Sequence, residues 1–154
     1  MQEIIIADTS CLILLHKIQE FDLLRKLFNH ITITSEIEKE FGQVLPEWVI
    51  VKNASNKNYQ NIIRASVDIG EASAIALALE ESNPLLILDD LKARKLASNL
   101  HLHYTGTLVV LVDAKLSGYL ASIKPVITKI KSTNFHLPEE LEQRILRAAG
   151  ESTK

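Results

Sequence analysis

Five carboxylates, Asp8, Glu40, Glu71, Asp89 and Asp90, stand where side chains of this type could do chemistry. Asp8 closes the apolar run Ile4-Ile5-Ile6-Ala7, and Asp89-Asp90 closes a second one, Leu85-Leu86-Ile87-Leu88. Acids brought together repel one another unless a cation neutralises them, and hard carboxylate oxygens favour magnesium or manganese. An ion so held lowers the pKa of water, and a pair of ions clamps the attacking and leaving oxygens of a phosphodiester. The chemistry on offer is therefore metal-assisted hydrolysis, provided the acids converge.

Convergence depends on the elements that carry them. Continuous apolar runs such as Ile4 to Ala7 and Leu85 to Leu88 suit strands buried on both faces of a parallel sheet. In open parallel sheets ligands bind outside the carboxyl ends of the strands, which is where both runs turn acidic. Glu71 lies in the first turn of an alanine-rich helix, Glu71 to Glu80, that feeds the second run, so it faces the same edge. Glu40 belongs to a short helix, Glu36 to Phe41, for which Ser35 is the expected cap and Gly42 the stop.

The remaining segments fill in around these. Cys11 to His16 and Phe21 to Phe28 carry helical spacings, Ile31 to Thr34 is β-branched and strand-like, and Val49 to Val51 reads as an edge strand after Pro46. Asn53 to Asn61 is polar, a loop or the opening of a helix around Ile62 and Ile63. Leu91 to Asn99 forms a basic helix with Lys92, Arg94 and Lys95, and His103-Tyr104 a brief strand before Thr105-Gly106-Thr107. Helices follow over Leu108 to Leu116, Ile123 to Ile130 and Leu141 to Ala149, the last two read as an appended hairpin because no strand separates them. Strands alternating with helices predict a three-layer α/β/α sandwich with a mostly parallel central sheet.

With 154 residues the chain is expected to be one domain, 1–154, able to bury a core without staples. A single cysteine, Cys11, and no signal-like opening predict a cytoplasmic protein, and no apolar run is long enough for a membrane span. A net charge of −2 and a pI near 6.2 provide no global basic field, so nucleic-acid binding would need local patches or a metal.

In order, Ile4-Ile5-Ile6-Ala7-Asp8-Thr9-Ser10, Ile37-Glu38-Lys39-Glu40-Phe41, Gly70-Glu71-Ala72-Ser73-Ala74-Ile75-Ala76 and Leu86-Ile87-Leu88-Asp89-Asp90-Leu91-Lys92-Ala93-Arg94 resemble a PIN domain. More narrowly, the chain is similar to an uncharacterised prokaryotic branch related to VapC-type toxins. That branch shares a segment like Thr105-Gly106-Thr107 and an ending like Phe135-His136-Leu137-Pro138 followed by Ile145 to Glu151. The resemblance implies a Mg2+- or Mn2+-dependent endoribonuclease acting on RNA, commonly the toxin of a toxin–antitoxin pair, with an antitoxin protein as partner and homodimerisation expected.

Carried over residue by residue, the resemblance implies Asp8, Glu40, Glu71 and Asp90 as catalytic acids. Asp8, Glu71 and Asp90, with Asp89 beside them, would be the metal ligands. Asp90 is favoured over Asp89 because the usual motif has a threonine two residues ahead of its acid, a place Leu88 occupies here. That missing threonine, and Glu71 where many members have Asp, motivate the alternative of a catalytically silent RNA- or protein-binding module. Ser10 is expected to hydrogen-bond Asp8 or the scissile phosphate, and Lys92, Arg94 and Lys95 to meet flanking phosphates.

Each residue also has a plainer reading. Asp8 and one of Asp89 and Asp90 suit helix caps, Glu71 suits a first-turn acid facing the helix dipole, and Glu36, Glu38 and Glu40 would make a solvated face. Ser10 lacks any Gly-x-Ser-x-Gly context, Cys11 suits core packing, and His101 with His103 lack further zinc ligands nearby. Lys92, Arg94 and Lys95 equally suit a helix face snorkelling over the sheet. A receiver-like phosphoacceptor using Asp89 or Asp90 is a third function class, disfavoured because its acids would fall on the wrong strands.

Overall fold

The computed structural model describes residues 3–153. Its strands are β1 (Ile4–Ala7), β2 (Ile31–Ile33), β3 (Val49–Val51), β4 (Pro84–Ile87) and β5 (His103–Thr105). They form one all-parallel sheet in the order β3-β2-β1-β4-β5. The two apolar runs are adjacent at the centre, in register from Ile4 opposite Pro84 to Ala7 opposite Ile87. Pro84 is tolerated because it is the first residue of its strand, and the bond from Ile4 N goes to Asn83 O at 3.0 Å. The edge position predicted for Val49 to Val51 is the one observed.

The helices are α1 (Thr9–Lys17), α2 (Leu23–Phe28), α3 (Ser35–Phe41), α4 (Lys57–Ile63), α5 (Ile69–Glu80), α6 (Leu91–Asn99), α7 (Thr107–Leu116), α8 (Lys124–Lys131) and α9 (Glu139–Ala148). The flanking layers complete the predicted sandwich: α5 packs on β1 and β4 and is joined by α3, α4 and α6, while α2 packs on α7, which also carries α9. Every residue of α5 from Gly70 to Ala78 is buried. A helix enclosed on all sides carries apolar or small residues all round, which is why the sequence there reads Gly-Glu-Ala-Ser-Ala-Ile-Ala-Leu-Ala. The core between layers is aliphatic, with Ile6, Leu12, Leu15, Leu24, Ile33, Ile75, Leu77 and Leu86 all fully enclosed.

Several local expectations are corrected. Thr34, not Ser35, caps α3: its Oγ1 accepts from Ile37 N at 3.2 Å and shares a 2.6 Å hydrogen bond with Ser73 Oγ. Ser35 instead pairs with Asn53, which ties the start of α3 to the segment after β3. Of the two readings for the polar stretch 53–61, the opening of a helix is the one observed: Asn56 caps α4 by accepting from Asn58 N at 3.0 Å. Gly42 ends α3 as expected, at φ +70°. The last two helices are linked by a Lys131–Glu142 ion pair, but α9 also lies on α7, so they are part of the body rather than an appendage. Glu151 completes that corner by accepting from Ser122 Oγ and Ile123 N, each at 2.6 Å, with Lys115 Nζ at 3.8 Å. No helix among the described residues is long and apolar enough to cross a membrane.

Candidate active site

The register of the central strands fixes the first pair of acids. Asp8 N donates to Ile87 O at 3.1 Å, so Asp8 leaves β1 beside the point where β4 runs into Leu88, Asp89 and Asp90. α3 brings Glu40 and the first turn of α5 brings Glu71 to the same edge. Asp8, Glu40, Glu71, Asp89 and Asp90 then line one open depression of about 470 Å³, together with Thr9, Ser10, Ile13 and Asp68. A second depression, about 730 Å³, shares Asp68, Glu71, Asp89 and Asp90 and adds Arg64, Leu91 and Lys92.

Asp8 is the electrostatic focus. It is 4% exposed, and although it occupies the position before α1 its side chain makes no capping hydrogen bond. Burial pushes its carboxyl up to about 7; the Thr9 N–H opposes that shift, and Glu71, Glu40 and Asp89 reinforce it. No described Lys or Arg forms an ion pair with it. Glu71 is buried and its carboxyl is also raised, by burial first, with Asp90, Asp68 and Glu40 adding to the effect and the Asp68 N–H opposing it. That N–H lies 3.2 Å from Glu71 Oε1, in a capping box at the start of α5.

The two acids after β4 have different roles. Asp90 caps α6, accepting from Ala93 N at 3.0 Å. Asp89 accepts from Thr107 N at 2.9 Å and from Thr107 Oγ1 at 2.5 Å. Arg94 backs this pair: its Nε donates to Leu88 O at 2.7 Å, its Nη2 lies 3.9 Å from Asp89 Oδ1, and its guanidinium stands 5.5 Å from the centre of the Tyr104 ring. The neighbouring strand end must leave room for it. A Cβ on Gly106 would fall 2.0 Å from Arg94 Nη2. Glu40 is held comparably, accepting from Thr9 Oγ1 at 2.6 Å, and a Cβ on Gly70 would fall 2.1 Å from Glu40 Oε1.

A family model described as a PIN domain matches residues 4–151. The chain belongs to the PIN domain family. No curated protein and no solved structure matches it. PIN domains are typically metal-dependent nucleases that use divalent ions.

In this PIN domain the donor set is of the right kind for such an ion: all oxygen, carboxylate, and around Asp8 without a countercharge. Among the described residues, no three His, Cys, Asp or Glu side chains are disposed to grip one ion together. Asp89, Asp90, Glu71 and Glu40 each have an oxygen engaged by Thr107, Ala93, Asp68 or Thr9.

Of the residues expected to meet substrate, Lys92 lines the larger depression and Lys95 lines neither. Arg94, a third exposed, is turned towards the strand end, where it bonds Leu88 O and stands beside Asp89. Ser10 Oγ lies 3.5 Å from Asp89 Oδ2, the margin of a hydrogen bond, rather than on Asp8. Cys11 is buried, and burial pushes its thiol pKa up, as suits a packing residue. Thr9, Asp68, Arg64 and Thr107 were not singled out individually from sequence. Asp68 had a readable signal, the Asp-x-x-Glu spacing of a capping box. Thr9 had none, since its partner Glu40 is remote in the chain and only the fold joins them.

Proposed function

We propose that this PIN domain is a Mg2+- or Mn2+-dependent endoribonuclease. The observation that carries the reading is Asp8, a buried carboxylate whose nearest electrostatic neighbours are other carboxylates and which no described cation balances. A protein keeps so costly an arrangement when a cation completes it. Asp8, Glu71 and Asp90 would hold the ion, with Asp89 beside them. When bound, a divalent ion supplies the charge that lets water ionise near neutral pH and that offsets charge developing on a phosphodiester.

The side chains supply the rest. Glu40, exposed and fixed through one oxygen by Thr9, orients the attacking water with the other. Thr107 and Arg94 keep Asp89 from swinging into solvent, and Ser10 presents its hydroxyl to the phosphate. Incubating single-stranded RNA with the purified protein tests this: cleavage should require Mn2+ or Mg2+ and vanish in Asp8→Asn. A protein that cleaves no RNA, and whose melting temperature ignores both ions, contradicts it.

The second reading, a catalytically silent module binding RNA or a protein, is favoured by the commitment of Asp89 and Asp90 to Thr107 and Ala93. Metal-dependent turnover lost in Glu71→Gln eliminates it. Within the first reading, the toxin role adds an antitoxin protein and a homodimer. Growth arrest on expression, relieved by the product of a neighbouring gene, is the expected outcome.

A further inference from the structure

The two depressions form one trough, since both are walled by Asp68, Glu71, Asp89 and Asp90. Its ends differ. The larger depression carries Arg64 and Lys92, whereas the smaller closes on Thr9, Ser10 and Ile13 without a Lys or Arg. Arg64 follows the last turn of α4 and Lys92 lies in the first turn of α6, so separate elements deliver the two cations to one place.

Both side chains are exposed, and neither forms an ion pair among the described residues, although carboxylates line the same depression. A cation is favoured at a helix C-terminus, which accounts for Arg64, but it is disfavoured in a first turn, where Lys92 stands. Lys92 therefore has a local cost that an anionic ligand would offset. Leu91, 79% exposed in the same wall, adds apolar surface on which a base can lie.

We propose that Arg64 and Lys92 form a subsite for the phosphate next to the scissile one, gripping single-stranded RNA on one side of the cut only. This rests on the ribonuclease reading and deepens it. With Glu71, Asp89 and Asp90 shared by both depressions, Asp8 and Glu40 in the smaller one and the cations in the larger, a strand lying along the trough meets positive charge on one flank alone. Neither cation touches the acids, so both act on binding and position rather than on the bond that breaks.

The test is binding of a short fluorescent single-stranded RNA to the uncleaving Asp8→Asn protein in Mg2+ across a salt series. Arg64→Gln and Lys92→Gln should each weaken binding, and the double Gln variant should flatten the log–log salt slope by about 0.7, the value for one phosphate contact on a single strand. Arg64→Lys should retain binding, Lys26→Gln, at an exposed residue of α2 that lines neither depression, should change nothing, and melting temperatures should match. In the protein with Asp8 intact, the double Gln variant should raise KM and leave kcat. If RNA is bound and cleaved but the double variant behaves as wild type, the subsite is wrong and the ribonuclease reading stands. If no variant binds or cleaves RNA, both fall.

Discussion

Gly106 and Arg94 share one volume: the guanidinium Nη2 stands 2.0 Å from where a Cβ on residue 106 would be. The same guanidinium is bonded to Leu88 O and lies beside Asp89. The glycine before α7 is therefore needed to place an acid at the end of β4. Gly106→Ala should expel Arg94, release one side of Asp89 and lower stability by about 1–3 kcal/mol, the usual range for overpacking. Thermal melts of Gly106→Ala and Arg94→Lys should show losses of similar size, since lysine has no planar fork to reach both partners. A Gly106→Ala protein as stable as wild type contradicts this arrangement.

Gly70 is set against Glu40 in the same manner but with the opposite consequence for stability. The atom that a new Cβ meets most closely, Glu40 Oε1, is the tip of an exposed side chain that can swing away, and Thr9 Oγ1, at 3.3 Å, need give only slightly. Alanine is favoured over glycine within a helix by about 1 kcal/mol. Gly70→Ala should thus leave the melting temperature unchanged or raised, while RNA cleavage falls at least tenfold through loss of the Thr9–Glu40 placement. Parallel loss of stability and activity would show that Gly70 serves packing alone.

Asp8 makes the fold pH-sensitive when no divalent ion is bound. Its carboxyl is pushed from 3.8 to about 7, so the folded state holds the proton more tightly than the unfolded one. That contribution to stability is fully present below pH 3.8 and is lost as pH rises through about 7. In chelator, Asp8→Asn should therefore be more stable than wild type at pH 8, and the difference should shrink towards pH 4. Manganese affinity of the wild type should rise over the same interval, because binding requires the ionised carboxylate. A melting difference that does not change between these pH values contradicts the assignment.

Glu151 is a structural counterpart at the opposite extreme. It is partly buried, yet hydrogen bonds from Ser122 and Ile123 and the nearby Lys115 hold its carboxyl below the usual range. Its stabilisation is present above the unfolded carboxylate value and lost as pH falls through the lower folded one. Glu151→Ala should cost about 1.5–3 kcal/mol at neutral pH, as expected for hydrogen bonds to a charged group, and Glu151→Gln should cost less. Denaturant melts at pH 7 and pH 3 should show the penalty at the first and much less of it at the second.

The central strands and α5 are legible because burial leaves them almost wholly apolar or small, and Asp8, Glu71 and Asp89-Asp90 are local to those elements, whereas Glu40 comes from α3. Helix bounds at α6 were also read directly, since Asp90 and Asn99 punctuate it. The cap of α3 was misplaced by one residue because two hydroxyls, Thr34 and Ser35, are adjacent, and only the Ser73 partner decides between them. The inward turn of Arg94 was not legible either. Its position among Lys92 and Lys95 reads as surface, and the space that admits it belongs to Gly106, on the far side of β5 in sequence.

The account depends most on a cation shared at Asp8. Crystals grown or soaked in Mn2+ and measured at a wavelength where manganese scatters anomalously test it directly. The prediction is an anomalous peak within ligand distance of Asp8 and at least one of Glu71, Asp89 and Asp90, absent in crystals of Asp8→Asn. Full manganese saturation in solution with no peak at Asp8, or a peak that persists without its carboxylate, would contradict the central claim.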